Sequence, residues 1–256
     1  MVIMKNLMLS SEQKNQEEEY FFPYHYLDVG SEIYKDIHYI PYKCKLQLIK
    51  SKIGTNKKIK VLDAGCGDGR FVYEIKNDFP NVEGIDYSEN ALGFARAFNP
   101  KIKFYRKDLL NIDSKKKYDV ITLVDTLEHF PQNKIKLLLN NINNLLVPNG
   151  KLIITVPSVN QKLSSKHYQH FTLKKLNKIL KPSFKVIEAK GYRKLGISWF
   201  IFNNFKNLCV VLHPFKPKIF FIKNILSFLK KLYIKKISVT TTKKSMGILV
   251  VCKKTQ

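Results

Sequence analysis

After Glu188 the chain contains not one carboxylate, while Lys190, Arg193 and thirteen further lysines follow. Fifteen of the net +25 charges therefore sit in residues 189–256. Arginine is nearly absent: of 45 basic residues only Arg70, Arg96, Arg106 and Arg193 carry the planar fork on which base readers and phosphate clamps lean. A lysine excess beside many Asn and Ile residues has the look of compositional drift, but its concentration at one end points to an anionic surface, most simply membrane headgroups. The cysteines (Cys44, Cys66, Cys209, Cys252) form no Cys-x-x-Cys pair, which argues against a zinc knuckle and against a disulfide framework. No apolar run reaches the roughly 18 residues of a spanning helix. Met1 to Leu9 is apolar but short and runs into Ser10-Ser11-Glu12, so we read no leader there. These absences predict a cytoplasmic protein, peripheral on the inner face of a membrane. With 256 residues and 45% apolar content, the chain has room for one sizeable α/β core with an elaboration, or for two small domains.

Val61-Leu62-Asp63-Ala64-Gly65-Cys66-Gly67-Asp68-Gly69 is a β-forming run feeding a glycine-rich turn. A helical stretch follows, and then a second β run, Val82–Ile85, ends in Asp86. That is the layout of a nucleotide-type ligand site at the carboxyl edge of a parallel sheet, with the acid placed to accept from ribose hydroxyls. The bland alternative is a glycine turn in an ordinary α/β domain. A dinucleotide fingerprint needs a glycine at its sixth place, which here is Arg70. Asp63 and Asp68 would also repel a pyrophosphate and suit a ligand with a cationic end.

Strand candidates are Lys60–Asp63, Val82–Asp86, Ile102–Tyr105, Tyr118–Val124, Lys151–Pro157 and Lys185–Glu188. Helix candidates between them are Phe71–Asp78, Glu89–Phe98, Lys134–Leu146 and Thr172–Leu180. Ser88 is placed to cap the second of these helices, and Asn149-Gly150 to turn into the fifth strand. This alternation predicts a Rossmann-like α/β fold, its sheet mostly parallel with helices on both faces. Residues 1–54 read as an N-terminal lid and helix. The lid is polar and loosely helical up to the aromatic cluster Tyr20-Phe21-Phe22-Pro23-Tyr24-His25-Tyr26, and Pro41 opens a helix through Ile53. Residues 55–193 and 245–256 read as the core, and 194–244 as a basic amphipathic insert. In that insert Ile219, Ile222, Leu226, Leu229 and Tyr233 share a helical face with Phe221, Ile225, Phe228 and Leu232, opposite lysines, the pattern of a helix lying in a membrane interface. A cover over the active site or a dimer face is the alternative.

The glycine turn resembles motif I of the class I S-adenosylmethionine-dependent methyltransferases, and the likeness extends over about residues 55–190. It implies seven strands, the last (Gly247–Cys252) inserted antiparallel, and S-adenosylmethionine as cofactor. Asp63, Gly65, Gly67 and Asp86 would hold that cofactor. Tyr87 would pack on its adenine, with Asp108 and Leu109 toward the adenine amino group. Tyr118–His129 resembles the fourth strand and its loop, which places Asp125 beside the cofactor too. The loop lacks the Pro-Pro-aromatic signature of enzymes acting on exocyclic amines of adenine. Pro157 is followed by Ser158, where cytosine-C5 enzymes need cysteine. Glu128-His129-Phe130-Pro131 and His167-Tyr168-Gln169-His170-Phe171-Thr172 are instead similar to small-molecule methyltransferases, including quinone-biosynthesis O-methyltransferases.

Methyl transfer from a sulfonium is an in-line displacement that needs alignment above all, and a base where the acceptor is a hydroxyl. His129 is the first candidate for that base and His170 the second, with His25 third. Tyr24, His25, Tyr26 and His167 are candidates for the acceptor wall. Asp125, Glu128, His129 and His170 resemble a divalent-metal set found in some relatives, and we hold a metal as a secondary reading. The expected activity is methylation of a hydroxyl, with an amine second, on a small or lipid-linked metabolite. The rivals are an RNA methyltransferase gripping phosphates with the basic C-terminal region and a non-catalytic cofactor-binding module. Acceptor identity and oligomeric state are not written in these motifs, because lid and insert vary freely on one scaffold.

Overall fold

The computed structural model describes residues 10–29, 33–112, 115–212 and 219–255; the side chains of 12–13, 33–38, 208–212, 219–223, 225 and 226 fall outside that description. The leader reading of Met1–Leu9 and the membrane-face positions Ile219, Phe221, Ile222, Ile225 and Leu226 therefore lie outside the described residues or side chains.

Eight strands form one sheet in the order β3-β2-β1-β4-β5-β8-β6-β7. They are β1 (Val61–Ala64), β2 (Val82–Asp86), β3 (Lys103–Arg106), β4 (Tyr118–Val124), β5 (Leu146–Pro157), β6 (Phe184–Lys194), β7 (Val239–Thr240) and β8 (Ser245–Lys254). From β3 to β5 every neighbouring pair is parallel, and β8 inserts antiparallel between β5 and β6, as expected of the final strand. The sheet has one strand more than the predicted seven. Strand β6 does not stop near Glu188 but runs on to Lys194, and its outer edge is then met by β7 through Gly191↔Thr240 and Tyr192↔Val239. The predicted turn at Asn149-Gly150 survives as a left-handed Asn149 (φ 61°), with strand pairing on both sides of it.

The alternation of strand side chains assigns the helices to faces. Leu152, Ile154 and Val156 of β5 and Ile248, Val250 and Cys252 of β8 point to one side, where α5 (Ile135–Leu145) and α6 (Leu173–Leu180) cover them. Ile153, Leu249 and Val251 point to the other, under α2 (Ile33–Ile53), α3 (Arg70–Ile75) and α4 (Glu89–Phe98). Ser88 caps α4 as expected, its hydroxyl accepting from the Ala91 N–H at 3.0 Å.

Two expectations for the helices need correction. Pro41 does not open α2 but lies inside it, a position that ordinarily costs about 3 kcal/mol. The turns ahead of it gain a partner that no local pattern reveals: Ile40 is buried with Phe202, Leu229, Tyr233 and Ile237. The same cluster revises the insert, which carries α7 (Ile197–Leu212) and α8 (Ile219–Lys236). Leu229 and Tyr233, read as lipid-facing, are 2% and 1% exposed because they pack on α2 and α7. Phe228 of the same predicted face is 64% exposed. Among the described residues no helix is long and apolar enough to cross a membrane.

Candidate active site

The carboxyl ends of β1, β2 and β4 open into a cavity of about 510 Å³, within the size range of small-molecule sites. Its floor is the glycine turn. Gly65, Gly67 and Gly69 take φ values of 76°, 52° and 76°, a left-handed geometry in which a Cβ is strained. A Cβ at Gly65 would overlap Thr126, and one at Gly67 would overlap the Tyr20 hydroxyl, so the bare backbone lets neighbouring groups close in on the turn.

Two buried acids follow from this framework. Asp86 accepts from the Gly67 N–H at 2.8 Å and from the Ser88 N–H at 2.9 Å. Those donors favour its charged form, yet burial prevails and pushes its carboxyl up to about 6. Asp63 accepts from the Thr122 hydroxyl at 2.7 Å and is pushed up to about 7, chiefly by burial and in part by the charge of Asp86. Two desolvated carboxyls in one cavity favour a ligand that brings positive charge and hydroxyl donors. Tyr87, Asp108 and Leu109 line the same cavity. The Asp108 carboxylate also closes a local turn by accepting from the Leu110 N–H at 2.8 Å.

Asp125 sits at φ 50°, just past β4. Burial alone would raise its carboxyl, but the Lys45 ammonium, aided by Thr155 and Tyr192, holds it down at about 2. Thr155 donates to it at 2.9 Å and Tyr192 at 3.2 Å. Its carboxylate is thus already occupied by groups of the protein.

Another part of the cavity wall is built around His129, in the turn Leu127–His129. Its Nδ1 lies 3.0 Å from the Lys166 carbonyl, which only accepts, so Nδ1 carries the proton and Nε2 keeps the lone pair. The same logic applies to His170, whose Nδ1 lies 3.2 Å from the Gln161 carbonyl; its Nε2 therefore accepts from His167 Nδ1 at 2.9 Å. His167 in turn is left with its Nε2 lone pair. Burial, with the Lys166 charge, lowers His129 to about 4, and burial, with the two neighbouring imidazoles, lowers His167 to about 3, so both rings are neutral. Glu128, 1% exposed, is driven the other way by burial and by the Asp125 charge, and its Oε2 has no hydrogen-bond partner among the described residues. One donor atom each from Glu128, His129 and His167 lies within 4.8 Å of the others. A carboxylate and two imidazole lone pairs suit a divalent cation. This set differs from the one read in the sequence, with His167 in the place of His170 and Asp125 committed to Lys45.

The predicted acceptor wall is divided. Tyr24, His25 and His167 line the cavity, and His25 is held by Asp68 at 2.9 Å. Tyr26 does not. Its ring stacks on Phe98 at 3.8 Å and its hydroxyl donates to the Asp68 carbonyl at 3.1 Å, because the Tyr24–Tyr26 turn sends successive side chains to different sides. His170, the second candidate base, likewise does not line the cavity; it stands behind His167 and orients that ring through their hydrogen bond. Lys45, Tyr192, Arg193 and Tyr20 line the cavity without having been singled out. Only Tyr20 lay in a segment the aromatic cluster had marked. The lid helix α1 (Ser11–Glu19) closes over the site, tied to Asn90 by Glu17 at 3.2 Å and to the loop before α6 by a Tyr168–Ser10 bond of 2.8 Å.

A family profile described as a methyltransferase domain matches residues 37–187, more than half of the chain. The chain belongs to the methyltransferase-domain family. S-adenosylmethionine is its cofactor, and the glycine cradle, the two buried acids and the cavity beside them fit that group. Among curated relatives it is 29% identical over 122 residues to the ubiquinone biosynthesis O-methyltransferase of Rickettsia conorii, covering 46% of this chain and 40% of that protein. It is 27% identical over 130 residues to the Rickettsia prowazekii protein of the same name, covering 49% and 51%. The matched segment thus spans about half or less of these relatives. Among solved structures, magnesium protoporphyrin IX methyltransferase of Synechocystis with bound S-adenosylmethionine superposes with a TM-score of 0.61 at 16% identity, covering 98% of this chain and all (100%) of that one. The N-methyltransferase NodS of Bradyrhizobium japonicum with S-adenosyl-L-homocysteine gives 0.61 at 12% identity, covering 96% and 100%. At such identities these two show a shared fold.

Proposed function

We propose that this methyltransferase acts on a hydroxyl of a small or lipid-linked metabolite and works against an anionic lipid surface. The observation that carries the first part is His129: a neutral imidazole whose protonated nitrogen is tied to the Lys166 carbonyl, leaving its basic nitrogen beside the cavity. Asp63, Gly65, Gly67, Asp86, Tyr87, Asp108 and Leu109 would hold the cofactor, and Asp125 would shape the wall beside it through Lys45 and Tyr192. When bound, S-adenosylmethionine supplies an electrophilic methyl group. The residues of the chain align the acceptor oxygen and receive its proton. A base as weak as His129 takes that proton once the oxygen is committing its lone pair to a new bond and has become strongly acidic. Burial raises the Glu128 carboxyl and lowers the neighbouring His129 imidazole, so the two groups are driven in opposite directions. The names of the Rickettsia relatives support oxygen as the acceptor atom.

The lipid reading is supported by the outer face of α7, where Ile197, Phe200 and Phe205 are 77%, 66% and 48% exposed, and by Lys230, Lys231, Lys235 and Lys236 exposed on α8. A catechol and the matching aniline, each with and without an apolar tail, are to be compared for S-adenosylhomocysteine release. Methyl found on oxygen, with His129→Ala lowering kcat by about 10²-fold or more at unchanged S-adenosylhomocysteine affinity, supports the reading. Methylation of nitrogen at an equal rate, or an undiminished variant, rejects it. Sedimentation with vesicles containing an anionic lipid, run beside an RNA gel shift, separates a membrane surface from a nucleic acid.

A further inference from the structure

Each of the other three arginines has an acceptor within the protein. Arg70 pairs with Asp28 at 2.5 Å and Glu74 at 2.6 Å, Arg96 pairs with Glu89 at 2.5 Å, and Arg106 donates to the Tyr87 carbonyl at 3.2 Å. Arg193 differs. Its guanidinium lies over the Trp199 ring at 5.4 Å and hydrogen-bonds Tyr233, yet among the described residues no carboxylate pairs with it; its Nε–H, like that of Arg70, is buried without an acceptor there. The insert cannot provide one, since no acid follows Glu188. Consecutive strand residues face opposite sides of a sheet, but Tyr192 and Arg193 both line the cavity. The break in alternation is made by Arg193 itself, at a left-handed φ of 56° that a long-chain, non-glycine residue adopts only where the surroundings hold it there. A strained, half-buried arginine stacked on an indole in the wall of a ligand cavity, with no carboxylate to neutralise it, offers its planar fork to a planar or tetrahedral oxyanion.

We propose that Arg193 is the anion-recognising residue of the acceptor site, so that the acceptor carries a carboxylate or phosphate group away from its reacting hydroxyl. The inference rests on reading this cavity as the acceptor site. It gives the insert a role in recognition, because Trp199 of α7 and Tyr233 of α8 fix the guanidinium that β6 presents.

The test uses the full chain saturated with S-adenosylhomocysteine and titrated, by ligand-observed NMR, with benzoate, phenyl phosphate and benzamide. None of these probes has a hydroxyl acceptor suited to transfer, so the outcome does not depend on oxygen being the atom methylated. Benzoate or phenyl phosphate should bind at least tenfold more tightly than benzamide, and whichever is tighter identifies carboxylate or phosphate. Arg193→Gln should abolish that preference while leaving benzamide and S-adenosylhomocysteine affinities unchanged. Arg193→Lys, which keeps the charge and loses the fork, should retain only part of it and serves if the glutamine variant does not fold. Lys134→Gln, removing a different cavity-lining charge, should retain it. Equal binding of the three probes, a preference that survives Arg193→Gln, or an equal loss in Lys134→Gln overturns the proposal.

Discussion

Lys45, in the middle of α2, is ion-paired with Asp125 at the end of β4, across 80 residues of chain. The pair joins the N-terminal helix to the strand end in the cavity wall, and Asp125 also gathers Thr155 and Tyr192. The Asp125 side chain remains 35% exposed, so solvent screens part of the attraction. We expect Lys45→Met to cost roughly 1–2 kcal/mol at neutral pH, less than for a fully buried pair. Asp125 has a depressed carboxyl, so its contribution is present above the ordinary carboxylate range and is lost as pH falls from about 4 toward about 2. Urea denaturation of the wild type should show that loss, and Lys45→Met should flatten it.

Gly247 lies opposite Tyr192 in the β6–β8 pairing, and a Cβ there would overlap the tyrosine ring. Gly247→Ala should therefore push Tyr192 off Asp125 and cost about 1–3 kcal/mol. Tyr192→Phe, which removes only the hydroxyl, should cost about 1 kcal/mol. Similar urea midpoints for the two variants would mean the ring has room to shift.

Asp63 holds its proton more tightly folded than unfolded, its carboxyl being raised to about 7. The stability it confers is full below the ordinary carboxylate value near 4 and declines as pH rises toward 7. Above that, the buried charge is a net burden. Asp63→Asn should stabilise the cofactor-free protein at pH 8 by on the order of a few kcal/mol and have little effect at pH 4. Thermal midpoints at the two pH values check the sign.

The same acids and His129 predict two separated pH limbs. A cationic ligand favours the charged forms of Asp63 and Asp86, so affinity for S-adenosylmethionine should weaken as pH falls through about 7 and about 6. His129 stays neutral down to about 4, so kcat at saturating cofactor should hold until that range and then fall. Initial rates at varied pH and cofactor concentration resolve KM from kcat. A single shared limb would contradict the assignment.

The cradle and the alternating core were legible because their signals are local. The glycines at 65, 67 and 69, the acid closing β2 and the Ser88 cap each report a backbone need within a few residues. Lys45, Tyr192 and Arg193 were not legible, since each matters only through partners far away in sequence, and a lone lysine on a helix carries no mark of the carboxylate it will meet. Tyr26 and His170 show the converse. Their neighbours Tyr24 and His167 do line the cavity, and one turn of backbone decides which of two similar rings faces inward. In the insert a helical wheel marks the apolar positions, but it cannot tell lipid from the partners that bury Leu229 and Tyr233.

The central claim is that the glycine cradle with Asp86 receives S-adenosylmethionine, and calorimetric titration tests it most directly. The wild type should bind S-adenosylmethionine and not a nicotinamide dinucleotide, and Asp86→Ala should abolish that binding with its circular dichroism unchanged. Preferential binding of the dinucleotide, or undiminished S-adenosylmethionine affinity in Asp86→Ala, would contradict it.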